Sequence, residues 1–145
     1  MRIENDDIKL VLFSSKLDKH FKKISNIIPE SFPSNRILCC SNINDFSTAL
    51  TKTLFGLGIV LIVIRDTNEL NNIYKISERL KDHSTIVILS EEIDDMAQEA
   101  IRLYPRYTTF IKTDYNDVSQ VLIKMINNIE NKIKGERNGR SYRYH

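Results

Sequence analysis

The residue pattern predicts an α/β protein, a three-layer sandwich in which a five-stranded parallel sheet of order 2-1-3-4-5 is covered by five helices. Two observations carry this expectation. Five short runs rich in Ile, Val and aromatic residues alternate with five stretches whose apolar residues recur at helical spacing. The third and fourth runs are apolar on both faces, as strands buried between helix layers must be, and right-handed crossovers then leave few strand orders.

Residues 8–13, IKLVLF, form the first strand, followed by a helix whose stripe is Leu17, Phe21, Ile24 and Ile28. Ser14 and Ser15 between them read as neutral polar caps on the turn into that helix. The second strand, RILCC at 36–40, leads to the set Phe46, Ala49, Leu50, Thr53 and Leu54, with Asn44 or Asp45 as the cap. The GLG at 56–58 reads as a helix stop and turn before the third strand, IVLIVI at 59–64. Asn68 is then placed to cap the helix of Leu70, Ile73, Ile76 and Leu80. The fourth strand, TIVIL at 85–89, is followed by Met96, Ala97, Ala100, Ile101 and Tyr104, stopped by Pro105. The fifth, YTTFIK at 107–112, leads through Asp114 or Asn116 to Val118, Val121, Leu122, Met125, Ile126 and Ile129. A sheet of this order forms its site at the carboxyl ends of the strands beside the switch point between the first and third strands. The segments to search are therefore residues 14–16, 65–68, 90–92 and 112–115.

A chain of 145 residues, 41% apolar, suits one domain, expected over residues 1–133, with a basic and flexible tail at 134–145. From Lys132 onward five Lys or Arg face Glu136 alone, so the body is faintly acidic. Arg140 and Arg143 interleave with Tyr142 and Tyr144, a mixture that can hold phosphates and bases, but in so short a terminus a nucleic-acid arm is not expected. The longest apolar run, 54–64, is too short for a membrane helix, and MRIENDD lacks the regions of a signal peptide. The expectation is a soluble cytoplasmic protein whose neighbouring Cys39 and Cys40 are reduced, buried packing residues.

Size, alternation and two strand-end residues make the chain resemble the receiver domain of response regulators, a flavodoxin-like fold, over roughly residues 8–133. In that family the fourth strand ends in a Ser or Thr that contacts a phosphoryl group and the fifth in a Lys that pairs with it. Here TIVILSEE supplies Ser90 and TTFIKTDYNDV supplies Lys112, 22 positions on. The departures are more informative. Where receivers carry an acidic pair to hold Mg²⁺, a hard cation that wants anionic oxygens, this chain has Ser14 and Ser15. Where they carry the phosphate-accepting Asp at the end of the third strand, it has Val63, Ile64 or Arg65, with Asp66 one to three residues beyond and Arg65 putting positive charge where the metal would bind. Thr113 replaces the family's Pro, and Thr109 its switch aromatic, with Phe110 out of step.

The resemblance, with these departures, implies a pseudo-receiver: no enzyme, no cofactor and no metal, but a phosphorylation-independent module that binds another signalling protein. It also implies pairing with a second copy through the fourth helix, fifth strand and fifth helix, a face drawn from residues 96–104, 107–112 and 118–129. Tyr104, Arg106, Tyr107 and Phe110 are its candidate contacts. Two alternatives stay open. One is a receiver still phosphorylated on Asp66, recruiting Glu91, Glu92 and Asp114 for the metal. The other is an anion or nucleotide site at Ser14, Ser15 and Lys16 with Lys112, against which stands the absence of Gly in that loop. His20, His83 and His145 read as exposed, ordinary histidines, and the acids of residues 91–95 as complements to a helix dipole.

Overall fold

The apolar run after Gly56 becomes the centre of the molecule. In the computed structural model, which describes residues 4–54, 56–90, 96–112 and 114–138, Gly58–Ile64 form β3, and all its residues are buried. It lies between β1 (Lys9–Ser14) and β4 (Ser84–Leu89), with β2 (Ile37–Cys40) and β5 (Tyr107–Phe110) as the edges. Every pairing is parallel and the order is β2-β1-β3-β4-β5, as predicted. Side chains alternate across this sheet and make two cores. Leu10, Leu12, Leu61, Val63, Ile86 and Ile88 face α1 (Lys19–Ile27) and the long α6 (Asn116–Asn138). Val11, Phe13, Val60, Ile62, Ile64, Val87 and Leu89 face α2 (Ile43–Lys52), α3 (Thr67–Tyr74), α4 (Ser77–Leu80) and the segment after α5 (Met96–Glu99). Phe13 and Phe46 stack in this second core, ring centroids 4.6 Å apart.

Local chemistry sets the element ends, and here several expectations are corrected. The caps are Asp18 for α1, Asn42 rather than Asn44 or Asp45 for α2, and Asp66 rather than Asn68 for α3. Each accepts a backbone N–H from two or three residues on, so the helices begin earlier than their apolar stripes do. Asp114 accepts the N–H of Asn116 at 2.8 Å at the start of α6. The third predicted helix is two: Ile76, at φ −120° and ψ 14°, leaves helical geometry, and Ile73 and Leu80 on either side stay fully buried. The helix after Lys112 continues to Asn138, with Ile133 still buried, so the first residues of the expected tail are helical. Residues 139–145, with Arg140, Tyr142, Arg143 and Tyr144, lie outside the described residues, as do Glu91, Glu92 and Thr113. Among the described residues no helix is long and apolar enough to cross a membrane.

Three residues are packed otherwise than expected. Cys40 is buried, but Cys39 is exposed because β2 is an edge strand. Gly58 belongs to β3 and not to the preceding turn. His83, between polar neighbours, is buried: a Cβ at Gly58 would stand 2.6 Å from its Nδ1, which has no hydrogen-bond partner among the described residues. Burial pushes the His83 imidazole below its ordinary value. The unfolded chain then takes up a proton that the folded chain refuses. The contribution of His83 to stability is therefore complete above about pH 6.5 and shrinks as the pH falls below it. Urea unfolding from about pH 7.5 to about pH 5 is expected to lose stability with acid, with a shallower slope in His83→Asn; equal slopes would refute the assignment.

Candidate functional site

β1 ends on Ser14, which is fully buried and pairs in register with Val63. Alternation turns Leu12 and Ser14 of β1, and Val63 and the following Arg65, toward the layer of α1 and α6. Arg65 therefore leaves β3 pointing at the turn into α1. Its Nε and Nη2 each donate to a different oxygen of the Asp18 carboxylate at 2.8 Å, a two-pronged contact, and Nη2 also donates to Ser14 Oγ at 3.0 Å and the Lys16 carbonyl at 3.3 Å. Nη1 lies 3.8 Å from a Glu69 oxygen of α3. The same Glu69 accepts the Arg65 backbone N–H and the Ser15 hydroxyl.

The Asp18 carboxyl is thereby held well below the usual carboxylate range, chiefly by the Arg65 guanidinium, against the upward push of burial. Its Oδ1 also accepts the N–H groups of His20 and Phe21, at 3.1 and 3.0 Å. Ser14 and Ser15 are accordingly not caps: Ser14 Oγ donates to the Lys16 carbonyl at 2.7 Å, and Ser15 turns to α3. The helix start that an anion would need already holds a carboxylate of the chain itself.

The remaining candidates go elsewhere. Asp66 Oδ1 accepts the Glu69 N–H at 2.9 Å, capping α3. Ser90, half-buried just after β4, donates its N–H to the Ile64 carbonyl at 3.1 Å. Lys112 stands two residues beyond the end of β5, not on it, and its Nζ donates to Asp117 Oδ2 and Thr109 Oγ1, both at 2.9 Å. Asp117 Oδ2 further accepts the Tyr107 hydroxyl at 2.7 Å and the Thr109 hydroxyl at 3.0 Å. Burial raises the Asp117 carboxyl, but the Lys112, Tyr107 and Thr109 hydrogen bonds outweigh it and bring it down to about 2. The structure thus brings Ser14, Ser15 and Arg65 together and directs the side chains of Asp66 and Lys112 to other partners. Asp18, Glu69 and Asp117, the acids that organise both clusters, were missed. Their signals were an acid just before a helical stripe and an Arg65–Glu69 pair at i,i+4 spacing.

The outer face divides. Register places Tyr107 and Thr109 with Ile86 and Ile88 toward α6, and Thr108 and Phe110 with Val87 and Leu89 toward the opposite layer. Phe110 on that side is exposed, as are Ile101 and Tyr104 on the turn after α5. Tyr104 takes the left-handed backbone conformation, φ 56°, with Lys81 Nζ 4.8 Å from its ring centre and its hydroxyl 3.4 Å from Glu78. Arg106 is exposed, and its backbone N–H reaches the Thr85 carbonyl. Among the described residues no cluster of three or more His, Cys, Asp or Glu is placed to hold a metal ion.

No protein-family model matches the chain, and no curated protein does. Among solved structures it is similar to a protein from Burkholderia pseudomallei described as pilus assembly-related, with a TM-score of 0.63 over 86% of this chain and 93% of the other. At 14% identity the likeness is one of fold, and it is the flavodoxin-like arrangement that the strand order also gives.

Proposed function

We propose that the chain is a pseudo-receiver, a receiver-like domain that binds another protein without being phosphorylated. The observation that carries this reading is the Arg65 guanidinium, fixed between Ser14 and Asp18 at the carboxyl ends of β1 and β3. A receiver needs anionic oxygens and a divalent cation at that place, and a guanidinium held by a carboxylate both occupies the space and repels the metal. Asp66 and Lys112, engaged by α3 and Asp117, support the same reading. The α1 N–H groups held by Asp18 argue against an anion site there.

The contact face in this proposal is the side of β5 and of the turn after α5 that exposes Ile101, Tyr104 and Phe110, open to a second copy or to a partner in a signalling or assembly system. The second context is suggested by the description of the structural neighbour. A left-handed Tyr costs on the order of 1 kcal/mol that Gly would not, so retaining it suits a side chain kept for contact. An amide NMR titration with Mg²⁺, then with Mg²⁺ and beryllium fluoride, tests the absence of phosphotransfer. The expected spectra do not move at Ser14, Arg65, Ser90 or Lys112. Shifts there that vanish in Asp66→Asn would restore a phosphorylation switch.

A further inference from the structure

At the opposite end of the sheet, a groove of about 340 Å³ runs between α6 and the amino ends of β4 and β5. Val121, Met125 and Ile129 are its apolar floor; Arg106, Lys124 and Lys132 line it as well, and all three cations are exposed. Among the described residues no carboxylate lies in this lining, and none of the three cations makes an ion pair or a side-chain hydrogen bond. On a body whose remaining charge is slightly negative, this is a local concentration of uncompensated positive charge beside an apolar strip.

We propose that this groove is the docking site for an acidic, amphipathic segment of a partner protein, an inference that rests on reading the chain as a binding module. Lys124 and Lys132 are two turns apart on α6, about 12 Å along the helix, so they cannot converge on one small anion. An extended peptide advances about 3.3 Å per residue, and carboxylates four residues apart match that spacing. The floor takes the apolar side chains between them, which phosphates do not offer. Among the described residues its lining has no aromatic ring for a base to stack on, so a single-stranded nucleic acid would meet charge without its usual platform. The chain's own residues 139–145 carry Arg140 and Arg143 and would be repelled.

The test is an amide NMR titration of the full chain with a short synthetic peptide in which glutamates alternate with leucines, carried to about millimolar concentration. The expected result is saturable shifts at Arg106, Val121, Lys124 and Asn128 that weaken with added salt. Affinity is expected to fall about tenfold in Lys124→Gln/Lys132→Gln, whose exposed substitutions leave the rest of the spectrum in place. Silence at these residues overturns the proposal. It is also overturned if a glutamine–leucine peptide binds equally well, if oligothymidylate produces the same shifts, or if the shifts fall instead on Ile101 and Phe110. Dilution-dependent changes of the groove without peptide would assign it to a second copy and overturn it too. None of these outcomes depends on Mg²⁺ or beryllium fluoride, so failure here and failure of the pseudo-receiver reading are read separately.

Discussion

Gly58→Ala is expected to cost about 2 kcal/mol or more. The added Cβ would stand 2.6 and 2.7 Å from Nδ1 and Cγ of His83 and 2.9 Å from Thr53 Cγ2. Both neighbours are mostly buried, and Gly58 sits in the central strand, hydrogen-bonded to β1 in register with Lys9. The ring must turn or the strand must shift. Urea unfolding measures the loss, and His83→Ala in the same chain should recover part of it, because the two changes share one contact. Additive losses would mean that the strand, not the ring, resists the methyl.

Arg65→Leu is expected to destabilise by about 2–3 kcal/mol, less than for a fully buried pair because Asp18 is partly exposed. The substitution leaves the Asp18 carboxylate without its two-pronged partner and Ser14 Oγ without a donor at 0% exposure. Arg65→Lys should recover little, since one ammonium cannot reproduce the fork that meets both oxygens of Asp18 and also the serine. Amide exchange at the start of α1 should quicken in Arg65→Leu. A loss below about 0.5 kcal/mol would show the cluster to be an ordinary surface pair.

The fold was legible because its signals are local and repeated. The run 58–64 is continuous in apolar residues since both sheet faces are covered, and the helical stripes of α1 and α6 point at one of those faces. The site was legible only in part. That Arg65 follows β3 can be read from sequence; that it meets Asp18 cannot, because the β1–β3 register and the angle of the α1 turn decide it. His83 stands in a polar turn yet is buried, since what covers it, Thr53 and Gly58, comes from the end of α2 and the start of β3. The apolar pattern extends the fifth strand to Lys112, but β5 stops at Phe110, and two residues of loop are enough to turn the ammonium toward α6.

The Asp18–Arg65 bond joins residues 47 apart in the chain, and this bears on the order in which the molecule assembles. A growing chain that has made β1, α1 and β2 has only an edge pair of strands, and the cap of α1 is an acid whose cation has not been synthesised. That contact needs β3 in place beside β1, so the first half of the protein has its internal clamp only when it has its central strand. The carboxylate and the guanidinium are then the catch that holds the ends of the two strands in register.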